Sequence, residues 1–196
     1  MDIPELYVPT LIKENDVQKW EQSPNLDSYL AYEGDASPVK TTKEYIETGL
    51  LTPSIEADFK MKNAVSDPLN SSEYKARLEK NVKLREFVVN YMKDKKIDAF
   101  MYPLQSVLVV KTTEPKGQYA RNGLMASVTG LPAIDVPGGF STPDATAPIG
   151  VPVGIEFMAE PFSESKLINF GYSFEQGTHH RKAPVGFPDL DFSSVK

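Results

Sequence analysis

The sequence predicts an α/β fold, a mixed sheet covered by helices, and three observations carry that prediction. A helix-period stripe runs from about Ser72 to Lys96. Two short apolar runs, Ala133–Val136 and Val153–Met158, are each entered through a proline. A further helical pattern, with Leu167, Ile168, Phe170 and Phe174, follows the second run. Helix-length stripes beside short apolar runs describe a sheet with helices packed over it.

Taken in order, residues 1–24 are polar and interrupted by Pro4, Pro9 and Pro24, so an irregular N-terminal arm is expected there. Leu26, Tyr29, Leu30 and Tyr32 stand at near-helical spacing and predict a short helix over Asn25–Tyr32. Thr41-Thr42-Lys43-Glu44 has the form of a capping box, opening a helix that Gly49 ends. In the long stripe, Tyr74, Leu78, Val82, Arg85, Val88 or Val89, and Met92 recur at three- and four-residue steps. Lys93, Lys95 and Lys96 close it, where cations suit the negative end of the helix dipole.

Ala99–Tyr102 reads as a strand ended by Pro103, and Val107–Val110 as a second one. Pro132 leads into Ala133–Val136, and Pro137-Gly138-Gly139 is expected to end it in a turn. Pro152 leads into Val153–Met158, after which Ser163 is placed to cap the last helix. Residues 25–182 are expected as a single α/β domain and residues 183–196, with Pro184, Gly186 and Pro188, as a surface tail.

A chain of 196 residues supports one substantial core. Its formal charge of −6, without a basic cluster, argues against a nucleic-acid footprint. The absence of cysteine removes disulfides, thiolate metal sites and a cysteine nucleophile. No apolar run reaches the roughly 18 residues a membrane span needs, so a soluble globular chain with no membrane partner is expected. Met1-Asp2-Ile3-Pro4 has neither the basic start nor the apolar run of a signal peptide. The compartment is left open, with the cytoplasm the simpler expectation. Asn70-Ser71-Ser72 fits a glycosylation acceptor, a triplet common by chance.

Several segments, in their order and spacing, resemble one family. They are Asn122; Thr129-Gly130-Leu131-Pro132-Ala133; Val136-Pro137-Gly138-Gly139-Phe140; Pro152-Val153-Gly154; Pro161-Phe162-Ser163-Glu164; and Phe174-Glu175-Gln176-Gly177-Thr178-His179-His180-Arg181. Together they look like the C-terminal part of an amidase signature hydrolase. The likeness continues through Ile97–Pro103 and, more weakly, Asn25-Leu26-Asp27-Ser28-Tyr29-Leu30. That last piece favours the stand-alone amidase branch over the transfer-RNA amidotransferase branch.

The resemblance implies a fold and a substrate class. Such enzymes use a serine nucleophile, a second serine in a cis peptide and a lysine base, in a Gly/Ser-rich region preceding the part matched here. A serine hydroxyl must lose its proton near neutral pH, and a desolvated neutral lysine can take it. No Gly-Gly-Ser-Ser-Gly-like run occurs, and the Ser-Ser pairs Ser71-Ser72 and Ser193-Ser194 lack flanking glycines. No catalytic residue is therefore carried over. The resemblance does imply that Met101, Tyr102, Pro103, Leu104 and Asn122 form part of an acyl-pocket wall, against the simpler reading of each as strand-end or turn packing.

Other local patterns have plainer readings. Ser163 and Lys166 have the Ser-x-x-Lys spacing of penicillin-recognising enzymes, but Ser37 and Lys40 repeat it, and no Ser-Asp-Asn or Lys-Thr-Gly partner is present. Adjacent His179 and His180 do not make a helical metal pair; with Arg181 and Lys182 they suit a helix C-terminus. Gly138-Gly139 reads as a turn, because no Lys-Ser or Lys-Thr helix follows as in a phosphate cradle. Asp135 and Glu156, carboxylates inside apolar runs, fit one-sided exposure or pairing with an arginine such as Arg121.

The leading expectation is the C-terminal part of an amidase hydrolysing a small-molecule carboxamide to an acid plus ammonia or an amine. It would act with an N-terminal catalytic chain or second subunit supplying the serines and lysine, and no metal or organic cofactor is called for. A second expectation is a non-catalytic ligand- or partner-binding module on the same scaffold, stable alone. A third, a self-contained hydrolase, requires Ser163 and Lys166 to be buried together.

Overall fold

A computed structural model describes residues 3–111, 113 and 118–182. The described residues fall into two compact units. One holds the residues up to Ile97 with Leu124–Leu131, and the other holds Asp98–Gly123 and the residues from Pro132 onward. The chain passes from the helical unit to the sheet unit after Ile97 and returns to the helical unit for Leu124–Leu131.

The first unit is helical: α1 (Val8–Glu14), α2 (Gln18–Glu33), α3 (Thr42–Glu47), α4 (Pro53–Asn63), α5 (Ser72–Lys95) and α6 (Leu124–Thr129). The expected irregular arm over 1–24 is instead α1 and the first half of α2, which runs straight through Pro24. An interior proline costs a helix about 3 kcal/mol. Burying one tryptophan recovers roughly 4–6 kcal/mol at 25 cal/mol per Å², and Trp20 is buried with Leu30 on the same helix. Packing outweighs the proline.

Polar contacts fasten this region to α5. Tyr74 Oη donates to Glu21 Oε1 (2.8 Å), and Arg77 Nη1 donates to the Asp16 carbonyl (2.8 Å). Asn15 Nδ2 donates to Asn81 Oδ1 (2.8 Å) while Asn81 Nδ2 returns a bond to the Asn15 carbonyl (3.1 Å). The Arg77 guanidinium also lies 4.9 Å from the Trp20 ring centroid.

Helix α3 begins as the capping box predicts, the Glu44 N–H donating to Thr41 Oγ1 (3.1 Å). The Glu44 carboxylate reaches one residue further back than expected and accepts from the Lys40 N–H (2.7 Å). Helix α5 matches its predicted span, with Ser71 Oγ capping the Tyr74 N–H and Lys96 closing the helix in the left-handed region, φ 55°. Val88 and Met92 of the stripe are fully buried, whereas Leu78 and Val82 face solvent.

The second unit holds a three-stranded sheet in the order β1-β3-β2. The strands are β1 (Phe100–Pro103), β2 (Ala133–Phe140) and β3 (Pro152–Met158). Helix α7 (Glu164–Thr178) packs on β2 and β3. The α/β class and its helix-covered sheet hold, and both ladders among the described residues are antiparallel. Strands β1 and β2 run the same way but never pair, because β3 lies between them.

Strand β2 does not end at Pro137. It continues to Phe140 through an irregularity in register between Pro137 and Gly139. The glycines expected to make a turn make a bulge instead. Val107–Val110 forms no strand: the Val110 N–H is taken by Gln118 Oε1 (3.0 Å), and Leu108 and Val109 are exposed. Gly171 lets α7 lie close on β2, since a Cβ there would meet Val136 Cγ1 at 3.2 Å and Ile134 Cδ1 at 3.3 Å. Phe157 completes that face against Phe174, ring centroids 5.8 Å apart. Residues 183–196, where the surface tail was expected, lie outside the described residues.

Candidate functional site

The antiparallel register sets three ionisable side chains in one row across the sheet. Tyr102 on β1 lies opposite Glu156 on β3, and Glu156 lies opposite Asp135 on β2. Directly opposed residues share a face, and this is the face away from α7. Glu156 is only 4% exposed, and the Tyr102 hydroxyl donates to its Oε1 in a short hydrogen bond. Desolvation raises the Glu156 carboxyl above its ordinary value, Tyr102 opposes that rise by donating, and the neighbouring Asp135 charge reinforces it. Asp135 is raised as well, by the part of its surface that the sheet desolvates. Burial first, then the carboxylate it bonds, pushes the Tyr102 phenol far above the usual tyrosine range, so it stays a donor at any physiological pH. The expected Arg121 partner does not take Glu156; a tyrosine does, and Arg121 is exposed.

Beyond this row the chain folds back on itself. The Leu104 N–H donates to the Gly154 carbonyl (3.0 Å), and the Asn122 N–H donates to the Leu104 carbonyl (2.8 Å). Asn122 Nδ2 donates to the Pro103 carbonyl (2.8 Å), while Asn122 Oδ1 accepts from Ser106 Oγ (2.9 Å). Both ends of the amide are thus committed to holding the strand end. Gly123 lets the turn press on the row: a Cβ there would stand 2.9 Å from Leu104 Cδ1 and 3.2 Å from Glu156 Oε2.

Four of the five wall positions, Tyr102, Pro103, Leu104 and Asn122, are therefore gathered at one strand end. Met101 is not. It pairs with Phe157 on the α7 side of the sheet and is 62% exposed at the edge. Glu156 and Gly123 join the site without having been assigned to it. The available signal was a carboxylate at an alternate position within an apolar run, which sets it on the opposite face of the strand from its apolar neighbours.

The other patterns resolve simply. Lys166 donates to Asp98 (2.8 Å) at the surface, and that contact raises its pKa, the reverse of what a lysine base needs. Ser163 occupies the N-cap position of α7 but makes no side-chain cap bond, so the expected cap is absent. Its carbonyl still accepts the Leu167 N–H (3.0 Å). His179 ends α7 in the left-handed region, its N–H donating to the Glu175 carbonyl. Among the described residues, no three His, Asp or Glu side chains converge to hold a metal ion, and no helix is long and apolar enough to cross a membrane.

Comparison with solved structures decides the fold. Over 86% of this chain and 34% of the other, it superposes on the crystal structure of PAM12A with a TM-score of 0.67 at 22% identity. The peptide amidase PAM in complex with the competitive inhibitor chymostatin gives a TM-score of 0.63 at the same identity and coverage. The chain carries the C-terminal portion of the amidase signature fold.

Sequence relatives agree. The chain is 31% identical over 134 residues to a glutamyl-tRNA(Gln) amidotransferase subunit of Desulforudis audaxviator (strain MP104C), covering 64% of this chain and 26% of that protein. It is 34% identical over 122 residues to the corresponding amidotransferase subunit of Clostridium novyi (strain NT), covering 58% and 24%. The amidase signature portion thus spans about a quarter of the length of these relatives. No protein-family model matches it.

Proposed function

We propose that this chain is the C-terminal part of an amidase signature enzyme that hydrolyses a carboxamide to an acid plus ammonia or an amine. The serine and lysine groups of the chemistry are supplied by a segment outside it. One observation carries the reading: apolar side chains on the helices of both units stand open to solvent among the described residues. In the order β1-β3-β2 the outer strands each have β3 as their one strand neighbour among the described residues, and the outer side of a sheet is a template for further strands. Large apolar side chains stand exposed, including Leu78, Val82, Met101, Ile168 and Tyr172. Leu78 and Val82 stand one turn apart on α5, and Ile168 and Tyr172 one turn apart on α7, and apolar side chains that share an exposed helix face are where interaction sites form.

Within the complete enzyme this portion has a positioning task. Leu104 offers an apolar contact to the acyl part of a substrate, and Tyr102 and Asn122 fix the strand end that presents it. The acyl-enzyme route, in which a serine attacks the amide carbon and the amine leaves, belongs to the supplied segment.

The test is ammonia release from a panel of carboxamides, peptide amides and glutamine. It compares this chain alone with its assembly with the polypeptide bearing the serine-lysine region. Turnover is expected only in the assembly. Leu104→Ala is also expected to raise KM several-fold with a smaller change in kcat, as loss of uniform binding does. Hydrolysis by the isolated chain, or none by the assembly, would contradict this reading.

A further inference from the structure

A concave site lies in the sheet unit, at the end where β2 bulges. It is a cleft of about 490 Å³ lined by Gly138, Gly139, Phe140, Val153, His179, His180 and Lys182. The size is that of a small-molecule site.

Its shape follows from the bulge. The register breaks between Pro137 and Gly139, and Gly139 has φ +133°, a conformation that favours glycine. A Cβ on Gly138 would sit 2.4 Å from Ile155 Cγ1, so only glycine fits there. A Cβ on Gly139 would stand 3.8 Å from His180 Nδ1. The imidazole is thus laid over a backbone stripped of side chains.

Its chemistry is basic in an acidic chain. The formal charge of the whole is −6, yet His179, His180, Arg181 and Lys182 follow one another where α7 ends. His180 packs its ring edge-on against Phe174, centroids 6.2 Å apart, and its Nδ1 is buried with no hydrogen-bond partner among the described residues. The Lys182 ammonium lies 4.9 Å from the Phe140 ring centroid, and none of the ion pairs among the described residues includes it. Phe140 and Val153 supply an apolar floor beneath these groups.

We propose that the cleft binds a small molecule through an oxyanion, a carboxylate or a phosphate. Lys182 and His180 take the anion, and Phe140 and Val153 receive any apolar body attached to it. An ammonium and an imidazole lining one cleft beside an aromatic ring suit an acceptor with several lone pairs. The site does not depend on the amide-hydrolysing reading.

Imidazole NMR signals of the full chain, assigned with His179→Gln and His180→Gln, are followed while inorganic phosphate and benzoate are titrated separately. Saturable shifts at His180, with a Kd of about 1 mM or tighter for at least one probe, are expected. Lys182→Ala should weaken that binding about tenfold and Lys182→Arg should largely keep it. Lys182 is exposed, so neither variant threatens the fold. Tighter binding of benzoate identifies an organic carboxylate with an apolar body, and tighter binding of phosphate identifies the phosphate form. Shifts that never saturate with either probe, or that are the same in Lys182→Ala, would overturn the proposal.

Discussion

Glu156 shows how one residue couples sheet register to pH. Its carboxyl is raised in the folded chain above the ordinary 4.5 by desolvation and by Asp135, so the native state holds that proton more tightly than the unfolded chain. The resulting stabilisation is complete below the unfolded value and disappears as pH rises through the raised folded one. Glu156→Gln keeps an acceptor for the Tyr102 hydroxyl while removing the ionisation. The variant should therefore gain stability relative to the parent chain between pH 4 and 8, read as urea midpoints across that range. Asp135→Asn added to it should flatten the remaining slope, since Asp135 shifts in the same direction. Tyr102→Phe acts oppositely, leaving a buried acceptor without its donor, and should cost about 1–3 kcal/mol at neutral pH. The residues of this row were all legible as residue types in the sequence. Their meeting was not, because register decides which of two apolar runs places its carboxylate opposite the other.

At the scale of elements, the three strands and the helices α2 in part, α3, α5 and α7 were legible from local signals, whereas α1, α4 and α6 were not. The Ser72–Lys95 helix, the Phe100–Pro103 strand and the Pro152–Met158 strand follow from periodicity, caps and proline entry. Helix α2 through Pro24, the run of β2 through Pro137, and the missing strand at Val107–Val110 did not. Each was settled by a tertiary partner, namely the packing of Trp20, the β3 ladder and the Gln118 side chain. Two turns test the local logic. Gly150 closes the β2–β3 connection at φ +81°, and a Cβ there would meet the Ser141 carbonyl oxygen at 2.2 Å. Gly150→Ala should cost about 1–3 kcal/mol for the backbone conformation alone, with more from the clash, measured by denaturant unfolding. Lys96 ends α5 with positive φ although it carries a side chain. Lys96→Gly should relieve that strain and stabilise the helical unit by about 0.5–1 kcal/mol, read as a higher midpoint of helix unfolding by circular dichroism.

For the molecule as a whole, the fold is that of the C-terminal portion of an amidase signature enzyme. Among the described residues, β3 lies between two outer strands, and apolar side chains such as Ile168 and Tyr172 stand exposed. If this portion works only together with another segment, the mass of the native species reveals it. Native mass spectrometry of the protein isolated from its own cells, followed by denaturing mass analysis, should give a species well above 21.8 kDa. That species should contain a Gly/Ser-rich region with serines and a lysine, on a second polypeptide or on a longer form of this one. A stable lone species of 21.8 kDa would contradict the account and leave a binding module on an amidase-derived scaffold in its place.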